Sequence, residues 1–526
     1  MMRVLKGTGV SGRLIVGRAH LHTMEKVEVE KGRDIEEERE ILRKATAEAE
    51  DELKKLAESM KGREEAGIME AQILMLRDPA LIERTKELME KEHFSAAYSI
   101  KTASEESAKT LEGLKNPYLR ERASDVRDVG DRIVKRIRGK NSGVPHGSIV
   151  VAEELKPSEV VQISSNAIGF AAERGSRTSH VAILASALNM PAVLGVKNLL
   201  GAIREGDTLA LDGERGEVMV DPDVKRIEEE IRIRDKEAED LERIKMLPAV
   251  TADGRKIEVM ANIGGDDEAS AALESGADGV GLFRTEFLLL NRSSSPDEEE
   301  QFIAYKKVAE TFGEKPVIIR TFDIGGDKTI DYLNIEREDN PFLGVRGIRF
   351  CLMNRGLFKT QLRAILRASA HGNVKLMYPM VALEEEAEKA DEVLNEAKGE
   401  LEREGYAFNN GIEVGMMVEI PSAALNAGRF EVDFYSVGSN DLIQYTMAAD
   451  RTNEVLSYLY RPDKVMKLIE GVVASAHEKG RTVGVCGEMA GDPDIIPELI
   501  SIGVDELSMS PSKIARAKKV IIPLRP

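Results

Sequence analysis

A few side chains in this sequence are of types that move protons or phosphoryl groups, and their neighbours decide what they can do. His180 closes the stretch Gly175-Ser176-Arg177-Thr178-Ser179-His180 and opens the apolar run Val181-Ala182-Ile183-Leu184. A glycine-started polar turn running into such a pattern places the histidine at a helix start, with Ser179 or Thr178 as N-cap. Unpaired backbone N–H groups and the positive end of the helix dipole then surround the imidazole. They favour its neutral, nucleophilic form and favour an anion once one is attached. A histidine so placed is more often a plain capping residue, and only the rest of the chain argues for chemistry.

That argument comes from the C-terminal half, where Arg284, Arg320, Arg346 and Arg451 recur, with Lys328 in Asp323-Ile324-Gly325-Gly326-Asp327-Lys328. Several cations at one site imply a small, multiply anionic substrate carrying phosphate and carboxylate, both of which suit the planar fork of arginine. Glu419 and Asp441 add two carboxylates, enough to hold Mg2+ against a substrate's oxygens. Cys486, in Val485-Cys486-Gly487-Glu488, falls among these charges. Cationic neighbours are expected to lower its pKa, and a thiol can give or take a proton near neutral pH. Cys351 lies in a helical stretch and reads as inert core.

These groups need elements to hold them. From Thr251 onward eight apolar runs alternate with helical stretches: Ile257–Ala261, Gly279–Phe283, Val317–Arg320, Val374–Met377, Gly415–Val418, Phe434–Val437, Thr482–Val485 and Glu506–Ser508. That is the rhythm of a (β/α)8 TIM-type barrel, expected over residues 250–526. The runs end on Asn262, Arg284, Arg320, Glu419, Asn440, and Cys486 with Glu488, and a barrel gathers such ends on the face where its βα loops build a site. Ahead of it, Val4 to His20 is β-like and glycine-punctuated, and strand patterns return at Ser148–Val151, Ala167–Phe170, Ala192–Leu194, Thr208–Leu211 and Glu217–Val220. With the His180 helix these predict one α/β domain made of residues 1–22 and 145–222. Between its two parts, residues 33–140 carry apolar residues at helical spacing, broken at Gly62, Pro79 and Pro117, which predicts an inserted bundle of about four helices. Residues 223–247 are dense in charge and read as a largely solvated linking helix ended by Pro248. A histidine that collects a phosphoryl group at one station and delivers it at another would need such a connector.

Bulk composition narrows the function classes. The 526 residues imply about three or four domains. A net charge of −19 argues against a nucleic-acid surface and suits a protein partner with a basic face. No run of apolar residues is long enough for membrane insertion, and Met1 to Val10 lack the core of a signal peptide. Two cysteines cannot make a disulfide framework, so the cytoplasm is the expected location.

Gly175–His180, Gly281–Leu288, Asp323–Lys328, Asn340-Pro341-Phe342-Leu343-Gly344, Asn440–Tyr445 and Val485–Glu488 together resemble the enzyme I family. These are the phosphoenolpyruvate–protein phosphotransferases that start the bacterial sugar phosphotransferase system. The resemblance extends through Glu121–Asp128 in the helical insertion and covers essentially the whole chain. It implies phosphorylation of His180 by phosphoenolpyruvate with Mg2+, release of pyruvate, and transfer onward to a histidine of the phosphocarrier HPr, docked on the helical insertion. It implies that Arg284, Arg320, Arg346, Lys328 and Arg451 bind phosphoenolpyruvate and that Asn440 helps position it. Glu419 and Asp441 would hold the metal, Cys486 would protonate the enolate carbon, and the barrel domain would form a homodimer. Two departures stand out: family members continue into a further helical tail where this chain stops at Pro526, and no sensory domain precedes Val4, unlike the nitrogen-regulatory branch. A dikinase or phosphoenolpyruvate synthase would share the swivelling histidine and the barrel but needs an ATP-binding domain, and no glycine-rich cradle for one occurs here. A non-catalytic docking scaffold is the other alternative, disfavoured by the full set of charged residues.

Overall fold

The computed structural model describes residues 2–525 except 23–28, 33, 60–64, 114–116, 139–143, 178, 291, 326–329, 334–337 and 452. It divides into two compact units, Met1–Asp235 and Lys236–Pro526. The division falls inside one helix, Val224–Ile244, of which only Ile227 is buried.

The first unit is built on an eight-stranded sheet. From one edge to the other its strands are Arg3–Lys6, Glu217–Val220, Thr208–Asp212, Leu14–His22, Ser148–Ala152, Ala167–Ala172, Ala192–Leu194 and Thr8–Ser11. Four neighbouring strands, from Leu14–His22 through to Ala192–Leu194, run parallel. Ser148–Ala152, Ala167–Ala172 and Ala192–Leu194 read as short apolar runs because both of their faces are covered, and Ser148–Ala152 is buried at every position. Leu14–His22 pairs with Ser148–Ala152, so the segment between them is an insertion.

Five helices of that insertion are described: Ile35–Ser59, Glu65–Leu76, Pro79–Glu92, Ala96–Glu112 and Pro117–Ile137. The expectation of four missed Ala96–Glu112, whose buried face is largely Ala and Ser and gives little hydrophobic contrast. Small residues serve close approach there, since a side chain at Gly130 on the neighbouring helix would collide with Ser104. Gly62 lies outside the described residues.

In the second unit eight parallel strands close into a barrel: Glu258–Ile263, Val280–Phe283, Val317–Arg320, Val374–Tyr378, Val414–Val418, Phe434–Gly438, Thr482–Cys486 and Glu506–Met509. The last pairs with the first, from Glu506 opposite Glu258 to Met509 opposite Ala261, so closure needs no further tail. Alternate residues such as Val259, Ile319, Val485 and Leu507 face outward into the main core beneath the helices. Leu282, Ile318, Met377, Met417, Phe434 and Cys486 form a separate cluster inside the barrel. That alternation brings the polar strand ends to one rim.

Candidate functional site

His180 is the first residue of the helix His180–Ala187, and Ser179 is its N-cap, accepting the Ala182 N–H at 3.3 Å. The Ser179 hydroxyl donates to Ser176 O at 2.8 Å, which closes the turn on itself. Gly175 has φ +113°, a conformation that a residue with a Cβ reaches only under strain. Ser179 thus takes the capping role left open between two residues; Thr178 lies outside the described residues. Ile183, one turn along, is exposed.

The barrel unit holds a cavity of about 360 Å³ at the C-terminal ends of the strands. Arg284, Arg320, Arg346, Arg451, Glu286, Asp323, Glu419, Asp441, Asn440 and Cys486 all line it. Lys328 lies outside the described residues. Asn262 does not line the cavity; its amide is turned to the last strand, donating to Ser508 O at 3.2 Å.

The arginines differ in what they have left to offer. Arg346 is buried and commits all its N–H donors to the protein: Nε and Nη2 to Asp323, both at 2.9 Å, and the remaining donors to Asp441 and Tyr445. Arg320 gives Nη2 to Glu286 Oε1 at 3.0 Å and holds Asp323 at 3.4 Å, while its buried Nε has no hydrogen-bond partner among the described residues. Burial opposes both guanidinium charges, but the surrounding carboxylates more than restore them, so both are held more firmly charged than usual. Arg284 is exposed, and no described carboxylate pairs with it. Arg451 reaches Asp441 at only 3.9 Å. Free donors therefore come from Arg284, Arg320 Nε and Arg451, whereas Arg346 fixes the two aspartates.

The two candidate metal carboxylates also differ. Glu419 follows the strand Val414–Val418 and is 1% exposed; Oε1 accepts the Met380 N–H at 2.7 Å, and Oε2 is buried with no hydrogen-bond partner among the described residues. Burial, reinforced by Asp441 and Asp323, pushes its carboxyl up to about 8. Gly438 makes room for Oε2, since a Cβ there would lie 2.8 Å from it. No group of three metal-ligating side chains occurs among the described residues. A two-carboxylate site with an orphaned oxygen fits Mg2+, which commonly takes one or two protein carboxylates and completes its shell with water and substrate oxygens.

Cys486 ends its strand, is 3% exposed and lines the cavity. The expected lowering of its pKa does not occur. Burial dominates and pushes the thiol up to about 11, with Ser436, Arg320 and Arg284 pulling only partly against it. The thiol thus stays protonated at neutral pH, the form a proton donor requires.

Residues 238–525 match the family described as PEP-utilising enzyme, PEP-binding domain; 144–216 match its mobile domain and 6–122 its N-terminal region. A solution structure of an enzyme I protein is 35% identical, spans 44% of this chain and 99% of its own, and superposes with a TM-score of 0.38. A phosphoenolpyruvate-protein phosphotransferase of Bacillus sp. (strain S) is 43% identical over 98% of this chain and 92% of its own. That of Bacillus subtilis (strain 168) is 43% identical over 99% and 94%. The chain belongs to the phosphoenolpyruvate-protein phosphotransferase family.

Within this family of transferases the cavity shows residues that reading for reactive side chains passed over. Glu286 and Asp323 lie inside quoted motifs, yet they were assigned nothing. Glu286 Oε1 accepts both Arg320 and the Asp323 N–H, at 2.8 Å for the latter. The signal was available, because buried arginines require buried counter-charges. Tyr460, which stands outside the cavity lining and donates to Asn440 Oδ1 at 3.1 Å, had no such signal; its partner lies 20 residues away in sequence.

Proposed function

We propose that this chain takes a phosphoryl group from phosphoenolpyruvate onto His180 and passes it to a histidine of the phosphocarrier HPr, releasing pyruvate. The carrying observation is the cavity at the barrel rim, with unspent arginine donors, an orphaned carboxylate oxygen and a protonated thiol together. Arg284, Arg451 and the free Nε of Arg320 bind the substrate's phosphate and carboxylate; Arg346 acts mainly by holding Asp323 and Asp441, and Asn440 and Lys328 complete the contacts. Glu419 and Asp441 would hold Mg2+, which would supply Lewis-acid stabilisation of negative charge on the substrate. Cys486 gives its proton to C3 of the enolate that remains when the P–O bond breaks, and pyruvate forms.

Residues 1–22 and 145–222 serve as the swivelling phosphohistidine domain, 33–140 as the HPr-docking domain, 223–247 as linker, and 250–526 as the phosphoenolpyruvate-binding and dimerisation domain. The dimer reading is supported by large apolar side chains left exposed on the barrel unit, among them Leu343, Met353, Leu425, Val455 and Tyr458. No helix among the described residues is long and apolar enough to cross a membrane, and both cysteines are free, which suits the cytoplasm.

The test is incubation with labelled phosphoenolpyruvate, Mg2+ and an HPr carrier, followed by assay for an acid-labile adduct on each protein. Labelling from ATP but not from phosphoenolpyruvate would replace this reading with a dikinase. Two variants separate the roles inside the cavity. Cys486→Ala is expected to lower kcat by about 10²-fold with phosphoenolpyruvate affinity little changed. Arg284→Ala is expected to raise KM by about tenfold or more, as loss of a charge-assisted contact does. Equal binding losses in the two would contradict the division of labour.

A further inference from the structure

Beneath the cavity the barrel interior is not wholly apolar. Glu506 opens the last strand and Ser508 follows on the same inward face, while Leu507 and Met509 point outward into the main core. Glu506 Oε1 is buried and has no hydrogen-bond partner among the described residues. Leaving a buried polar atom unpaired costs about 1–3 kcal/mol, so an unpaired one calls for an explanation. Gly281, on the second strand, has no positive φ to account for it. Its role is space: a Cβ there would lie 2.4 Å from both Glu506 Oε1 and Ser508 Oγ. The two oxygens flank the opening that the glycine leaves.

Ser508 is fully buried and donates to Asn262 Oδ1 at 2.5 Å. Its register partner across the ladder is Cys486, which also faces inward. Register partners on neighbouring strands project to the same face, and the strands lie about 5 Å apart. Glu506, Ser508 and Cys486 therefore form a column from the N-terminal end of the barrel to the floor of the cavity. The thiol lines the cavity, yet only 3% of the residue is exposed.

We propose that Glu506 and Ser508 return to Cys486 the proton it gives up in each turnover. The proposal rests on Cys486 being the proton donor. The Glu506 carboxyl O–H breaks as its proton passes to Ser508 Oγ. The serine's own proton, turned away from Asn262, forms the S–H bond on the thiolate. Glu506, left as carboxylate and partly exposed at the strand's start, regains a proton from water. Burial, with Glu258 and Asp505 adding to it and Lys375 opposing, pushes Glu506 up to about 8, so it carries a proton at neutral pH. Lys375 is itself tied to Glu413 at 2.7 Å. Glu506 and Ser508 act through the thiol and touch no substrate.

The experiment compares first-turnover phosphorylation of the enzyme with steady-state turnover in the full chain, supplied with phosphoenolpyruvate, Mg2+ and HPr. Glu506→Gln is expected to keep the first-turnover rate, since the thiol starts protonated, and to slow later turnovers about tenfold. The wild-type steady-state rate is expected to fall as pH rises through about 8, where Glu506 loses its proton, and Glu506→Gln to lack that limb. In a Cys486→Ala background, Glu506→Gln should add nothing. Ser508→Ala, a smaller change, should reproduce the later-turnover defect and keeps the test available should the glutamine variant fold poorly. Equal losses in first and later turnovers, or multiplying effects in the double variant, would overturn the relay. If Cys486→Ala alone turns over at the wild-type rate, the donor assignment fails, and the relay with it.

Discussion

His180→Ala takes up no phosphoryl group from phosphoenolpyruvate and none back from phosphorylated HPr, yet binds phosphoenolpyruvate as the wild type does. The expected loss is at least about 10⁶-fold, because a covalent carrier cannot be replaced by the groups around it. The substitution is mild for the fold. The helix His180–Ala187 keeps its Ser179 cap, and alanine has the best helix propensity of any residue, so thermal stability should be unchanged within about 0.5 kcal/mol. The substrate cavity is lined wholly by residues of the other compact unit, from Gly264 to Gly487, which is why binding should survive. Measured by acid-labile label and by direct phosphoenolpyruvate binding, the variant separates carrying from binding. Undiminished label on His180→Ala would remove the histidine from the mechanism.

The barrel was readable in the sequence because its physics is repetitive. Each strand buries an outward row such as Val259, Ile319 or Leu507 under helices, which leaves short β-branched and aliphatic runs at regular spacing. Small-residue packing was not readable. Ala96–Glu112 holds its neighbours through alanines and serines, so its apolar periodicity is faint, although Ser95 does cap it by accepting the Tyr98 N–H. The edge strands Arg3–Lys6 and Thr8–Ser11 were seen only as one β-like stretch, because four-residue strands with partly exposed faces carry too little pattern to separate.

For the site, residue type was legible and state was not. Arginines at strand ends announced an anion, but whether a given guanidinium is free depends on partners far away in sequence: Arg346 is saturated by Asp323 and Asp441, while Arg284 has no carboxylate partner among the described residues. The Cys486 thiol makes the same point with opposite sign. Nearby cations suggested a lowered pKa, but the depth of its burial outweighs them. Burial is a property of the closed barrel, which no local stretch of sequence records.

Arg320→Ala should abolish loading from phosphoenolpyruvate by a route that leaves His180 competent. Among the described residues Arg320 is the only side chain that pairs with Glu286 Oε1, which also accepts the Asp323 N–H, and it faces Asp323 at 3.4 Å. Removing it strands a buried carboxylate, a change that costs about 3–5 kcal/mol. It also deletes the buried Nε that is free to meet substrate, a loss of about 10²–10³ in rate for a donor preorganised at developing charge. Together these predict a fall in kcat/KM of about 10³-fold or more and a lowered melting temperature. Arg320→Lys restores the charge without the fork, so it should recover stability better than activity. Reverse transfer from phosphorylated HPr to His180 should proceed at the wild-type rate in both variants, since that step needs nothing from the barrel cavity. Loss of reverse transfer as well would mean that the two stations are not chemically independent, and that the cavity contributes to both half-reactions.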